Sequence, residues 1–97
     1  MHLLEKEDYS PWMYSPQLEI FLFLIYWIEM SEISKQIGQL IRKHRVEKKI
    51  TQENLALLCC IDRSYLGRIE RGEVNLTVEK LYEISNALEV EAKSLLP

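Results

Sequence analysis

The sequence predicts an all-α fold: five short helices, with an extra apolar helix on their N-terminal side. Three observations carry this reading. From Ile33 onward, apolar residues recur three and four apart in four separate stretches, the spacing of one face of a helix. Residues with side-chain oxygens suited to helix N-caps stand in front of three of those stretches, at Thr51, Asp62 and Thr77. The 97 residues include only three Gly and three Pro, which leaves little room for long loops or a β-sandwich.

Taken in order, residues 1–14 show no usable periodicity and are expected to form an irregular arm. Ser15-Pro16 is a good helix start, with Ser at the N-cap and Pro at the first helical position. Ile20–Ile28 is an unbroken apolar run. At about 1.5 Å per residue it is far shorter than the roughly 20 residues a membrane span needs. Its N-terminal flank is acidic and no small-residue cleavage site follows, so neither a span nor a signal peptide is expected. A helix apolar on all sides must be covered on several sides. A second copy of the chain is the expected cover, with Phe21, Phe23 and Trp27 in the interface. The plainer alternative is an extension without a role of its own, because Met30-Ser31-Glu32 would make an ordinary N-terminus. The expected division is therefore 1–30, arm and apolar helix, and 31–97, a compact domain.

Within 31–97 the first helix turns Ile33, Ile37, Leu40, Ile41 and His44 to one face and leaves Lys35, Arg42, Lys43 and Lys48 outside it. Thr51 caps a second helix whose apolar face is Leu55, Ala56, Leu58 and Cys59. The pattern breaks at Cys60-Ile61, and Asp62 offers the next cap. Tyr65, Leu66 and Ile69 then form a new apolar face, with Gly72 placed for a left-handed C-cap. The outer face of that third helix is left with Arg63, Ser64, Gly67, Arg68 and Arg71. Thr77 caps a fourth helix bearing Val78, Leu81, Tyr82, Ile84 and Leu88. A last short helix, Val90 to Leu96, carries Leu95 and Leu96, which cannot both be covered within one small domain. Val90, Leu95 and Leu96 are therefore expected at a dimer interface.

The net charge of −3 argues at first against a nucleic-acid partner, but its distribution argues for one. Residues 1–29 hold one Lys against five acids, residues 30–73 hold nine Lys/Arg against six, and residues 74–97 hold two against four. The basic segment coincides with the paired helices, and a short helix with cationic, hydrogen-bonding side chains suits a DNA major groove. Cys59 and Cys60 are adjacent and cannot form an ordinary bridge with each other. The helical phase buries Cys59, so a reduced thiol acting as a small hydrophobe is expected. No His or further Cys is spaced to complete a metal site. There is no Ser/His/Asp set, metal-spaced acid group or Gly-rich phosphate loop, so an enzyme is not expected, nor a cofactor or small-molecule ligand.

The stretch TQENLALL followed by IDRSYLGRIERG resembles the helix-turn-helix of the lambda repressor/Cro family. Within it, DRSYLGRIERG is most similar to the controller proteins of restriction–modification systems. The resemblance covers roughly residues 33–96, and it departs from the family at Cys60 and Glu89, where Gly is commoner. It implies base contacts from Arg63, Ser64 and Arg68, and phosphate contacts from Gln52, Tyr65, Arg71, Asn75 and Lys43. It also implies a structural pair, Arg45 with Glu70, bridging the first and third helices. The implied function is a cytoplasmic homodimeric transcriptional regulator on a palindromic double-stranded DNA operator. A phage-type repressor, an antitoxin-like autorepressor, or a protein-interaction adaptor that keeps the fold without the DNA are the alternatives.

Overall fold

In the computed structural model residues 16–97 are described. Among them are four α-helices and one 3₁₀ turn, with no strand: α1 Pro16–Glu47, α2 Gln52–Leu58, α3 Arg63–Glu70, α4 Val78–Leu88, and the turn Ala92–Leu95. The irregular arm expected over residues 1–14, and the cap expected at Ser15, lie outside the described residues.

The separate N-terminal helix is corrected. The apolar run and the helix expected to start at Ser31 are one continuous 32-residue helix, with no break near residue 30. Neither Gly nor Pro interrupts the chain between Gln17 and Gln36, and the run is rich in Leu and Ile, so nothing local stops the helix there. Of α1's residues only Gly38 and Ile41 are fully buried. The second half packs on the other helices and the first half projects from them, giving a long axis of 57 Å against 22 and 21 Å across.

The core is built from one or two rungs of each element. Ile41 of α1, Leu55, Ala56 and Cys59 of α2, Leu66 and Ile69 of α3, Leu81, Ile84 and Leu88 of α4, and Leu95 of the final turn form one buried cluster. Each large side chain in it stabilises the fold by about 1.5–3 kcal/mol through the apolar surface it removes from water. Four expected apolar-face positions are exposed outside it, Ile33 of α1 at 43% among them. Leu58 is 61% exposed, since α2 ends there and its last turn has only one covered side. Val78, in the first turn of α4, and Tyr82 are likewise exposed.

All four α-helices end in the same way. A residue just past the last helical one lies in the left-handed region, two beyond it at Lys49 (φ 58°), Cys60 (φ 55°) and Gly72 (φ 75°) and one beyond it at Glu89 (φ 58°). At each end a pair of amides turns back on the last turn. Ile50 N donates to Arg45 O, Ile61 N to Ala56 O, Glu73 N to Arg68 O and Val90 N to Ser85 O, at 2.9–3.0 Å. This is the Schellman arrangement. Only one of the four ends has the glycine that makes it sterically free. The corners expected to be unusual at Cys60 and Glu89 thus keep the left-handed geometry and carry its strain, about 1–2 kcal/mol at each. At the N-termini, Thr51 Oγ1 accepts from Asn54 N and Thr77 Oγ1 from Lys80 N, both at 3.1 Å. Asp62 has the extended cap conformation without a side-chain cap bond.

The C-terminal helix is also corrected. Val90–Leu96 is a single 3₁₀ turn from Ala92 to Leu95, and Leu95 is completely buried among its own chain's core residues. It has no surface left for a dimer interface, because the tight turn folds it back under α1 and α4. Val90 is half-buried against the core and Leu96 is 48% exposed.

Candidate nucleic-acid interface

The frame of the site is a polar brace beneath it. Arg45 of α1 forks onto Glu70, the last residue of α3, with Nε donating to Oε2 at 2.7 Å and Nη2 to Oε1 at 3.0 Å. Its remaining Nη1 donates to the carbonyl of Ile50 at 2.9 Å, and Gln52 Nε2 donates to Glu70 Oε1 at 3.0 Å. The carboxylate side chain is 3% exposed and the guanidinium side chain 12%. A buried carboxylate is tolerable only with donors of this number and quality. The brace therefore fixes α3 against both α1 and the start of α2.

Gly38 makes the approach of α1 to α3 possible. A Cβ placed there would lie 2.4 Å from the carbonyl oxygen of Ile69 and 2.6 Å from that of Glu70, so only hydrogen fits. Sequence reasoning passed over this residue, although a glycine inside a helix, at about 1 kcal/mol of lost propensity, is itself a signal of close packing. Gly72 is fixed twice over, by its positive φ and by the Lys35 backbone 2.5 Å from where its Cβ would stand.

On this frame α3 turns Arg63, Ser64 and Arg68 outward, all exposed. Gly67, expected on the same open face, is buried instead. The guanidinium of Arg71 lies over it, with Nη1 3.1 Å from where a Cβ would be. Arg71 is paired through Nε with Glu73. Tyr65 is half-buried and packs against the core. Gln52 is half-buried and bound to Glu70 as described. Asn75 is exposed and its Oδ1 accepts from Ser34 Oγ of α1 at 2.9 Å.

Two open hollows flank the brace. One of about 250 Å³ is lined by Arg42, Arg45, Gln52, Gly67, Glu70 and Arg71. The other, of about 320 Å³, is lined by Arg45, Thr51, Gln52, Glu53 and Arg63. The fold thus gathers Arg63, Gln52, Arg71 and Arg42 around one brace. Lys43 is exposed on α1 and lines neither hollow. Besides Gly38, sequence reasoning missed Glu53, whose carboxylate stands 3.8 Å from Arg63 Nε, and Ser34, which holds Asn75. Among the described residues no cluster of three or more His, Cys, Asp or Glu could hold a metal ion.

A short, braced helix that follows a tight corner and offers two arginines and a serine to solvent defines the class: a helix-turn-helix DNA-binding domain. A family model described as Helix-turn-helix matches residues 41–95, more than half of the chain, and the chain belongs to that family. It is a DNA-binding transcriptional regulator. It is 42% identical over 60 residues to the Control protein C.BamHI of Bacillus amyloliquefaciens, spanning 61% of this chain and 74% of that protein. Its structure is similar to the restriction-modification controller protein C.AhdI from Aeromonas hydrophila, with a TM-score of 0.62 and 37% identity over 64% of this chain and 94% of that one. The wild-type restriction-modification controller protein C.Esp1396I gives a TM-score of 0.60 and 38% identity over 65% and 82%. The projecting half of α1 lies outside the family match.

Proposed function

We propose that this chain is a homodimeric controller of restriction–modification genes, acting in the cytoplasm on a palindromic operator. The observation that carries the reading is the braced α3 with Arg63, Ser64 and Arg68 exposed on its outer face. The likeness to control proteins supports the gene class. In this reading the three side chains read base edges, the arginines by forking onto guanine O6 and N7. Gln52, Tyr65, Arg71, Asn75 and Lys43 hold phosphates and set the register. Arg71 and Asn75 already have protein partners, Glu73 and Ser34, which they would share or exchange for DNA.

A single α3 reads only a few base pairs, so useful affinity calls for two half-sites and a two-fold partner. The projecting half of α1 supports a partner of the same kind. Ten apolar side chains from Leu18 to Ile28 are each 38–64% exposed. At about 200 Å² per side chain this leaves on the order of 1,000 Å² of apolar surface open, more than a monomer ordinarily tolerates. No helix among the described residues is long and apolar enough to cross a membrane. Phe21, Phe23 and Trp27, with Leu96 and the half-buried Val90, remain the interface candidates.

The test is selection of bound duplexes from a random pool, followed by titration of Arg63→Ala. The variant should lose about 1–3 kcal/mol on the selected operator and relax the preference at one base pair per half-site. An equal loss on operator and random DNA would assign Arg63 to phosphate. Sedimentation of the full chain and of a chain lacking residues 1–29 tests the dimer, and an unchanged association constant would remove the projecting part of α1 from it.

A further inference from the structure

Arg63 stands at the first position of α3, and Glu53 at the second position of α2 faces it across the corner. Glu53 Oε1 lies 3.8 Å from Arg63 Nε, with both side chains well exposed at 77% and 64%. At 3.8 Å this is an ion-pair distance, too long for a hydrogen bond. The carboxylate stands on the side of the inner nitrogen, Nε, and none of the three guanidinium nitrogens, the two terminal ones included, has a hydrogen-bond partner among the described residues. The two terminal ones are those that a bidentate contact with a guanine edge uses.

A carboxylate on the DNA-facing side of a regulator opposes phosphate, so its presence there calls for a physical reason. An exposed arginine beside a duplex has two kinds of acceptor within reach. Phosphate oxygens attract it by net charge and carry no sequence information, whereas guanine O6 and N7 attract it by oriented dipoles alone. A free guanidinium is drawn to the phosphates. A guanidinium with a carboxylate 3.8 Å from its Nε has part of its charge offset. Its net pull on phosphate is weakened and the nearby carboxylate repels the backbone. The charge-assisted hydrogen bonds from the far end remain intact, and they strengthen as water leaves the groove. In water the pair itself is weak, as exposed ion pairs are, so its effect belongs to the complex and not to the stability of the free protein.

We propose that Glu53 is a specificity-determining residue. It offsets the charge of Arg63 from the Nε side, leaves the two terminal nitrogens for a guanine edge, and withholds them from phosphate. The inference rests on the reading that Arg63 contacts a base. The competing account is local: an acid in the first turn of α2 favours the helix dipole, and Glu53 would then matter only to folding.

The experiment uses the full chain and three duplexes: the operator recovered from a random pool, the same operator with the Arg63-dependent base pair replaced, and a random duplex. Each is titrated at two salt concentrations with wild type, Glu53→Gln, Arg63→Ala and the double variant, and thermal melting is followed in parallel. Glu53→Gln should bind random DNA about three- to tenfold more tightly, with a salt dependence steeper by about one counterion. Its preference for operator over the replaced base pair should fall severalfold. In the Arg63→Ala background the same change should leave that preference unaltered. If Arg63→Ala relaxes the preference while Glu53→Gln raises affinity for all three duplexes equally, or only lowers the melting temperature, the role given to Glu53 is overturned and the base contact stands. If Arg63→Ala itself leaves the preference intact, the base contact falls and this inference falls with it.

Discussion

Replacing Arg45 with Ala should be among the most destabilising single changes in this protein, and the size of the loss follows from what Glu70 keeps. In the native fold the Glu70 carboxylate accepts two bonds from Arg45 and one from Gln52, and it is 3% exposed. Without the guanidinium a buried carboxylate retains one neutral amide donor, and the Ile50 carbonyl loses its side-chain partner as well. Breaking one side of a buried pair costs about 3–5 kcal/mol. A domain of this size has roughly 5–15 kcal/mol in all. Since 1 kcal/mol moves the midpoint of such a domain by about 4–8 °C, the melting temperature should fall by on the order of 15–30 °C. Glu70→Gln should be milder, about 1–2 kcal/mol, because Arg45 sits nearer the surface and can be rehydrated. Arg45→Met with Glu70→Leu should cost far less than the two single losses together, since no charge is then stranded. Urea unfolding at constant m-value gives these three losses and those of Arg45→Met and Glu70→Leu alone. A loss below about 1 kcal/mol for Arg45→Ala, or strict additivity in the double variant, would refute the view that this pair braces α3.

Three further outcomes follow from the packing. Gly38→Ala should destabilise by about 1–3 kcal/mol despite a propensity gain near 1, because its Cβ meets backbone oxygens of α3 that cannot rotate away; chemical denaturation checks the sign. Cys60→Gly and Glu89→Gly should each stabilise by roughly 0.5–1 kcal/mol by removing left-handed strain, while Gly72→Ala should destabilise, and a melting series that reverses this order would reject the strain argument. Burial raises the Cys59 thiol above its ordinary 9.0, so the folded chain holds a proton that the unfolded chain releases. That contribution is fully present below about pH 9 and is lost as pH rises from there through the folded value. Stability against pH should show this slope in Cys60→Ala and lack it in Cys59→Ala, and iodoacetamide should modify the exposed Cys60 in the native chain well before Cys59.

By itself the sequence determined the class and the register of this protein. Threonines at 51 and 77 begin helices, Gly72 ends one, and the period of Leu55, Leu66, Ile69, Leu81, Ile84 and Leu88 names the core, because caps and apolar spacing are local rules. The outward placement of Arg63, Ser64 and Arg68 followed from the same periodicity. Local rules did not reach the rest. Three helix ends use Lys49, Cys60 and Glu89 where glycine was the signal to look for, and their left-handed turns are held by hydrogen bonds around the corner. The break expected near residue 30 is absent, because no residue there opposes a helix and whether a helix stops is decided by what it packs against. Leu95 was expected at the surface and is buried, since only the three-dimensional path of the final turn decides which of two adjacent leucines points inward. Gly38, Glu53 and Ser34 act through partners 31, 10 and 41 positions away, at Ile69, Arg63 and Asn75. Spacing along a chain fixes which side of a helix a residue takes, and only the crossing of helices fixes what it meets there.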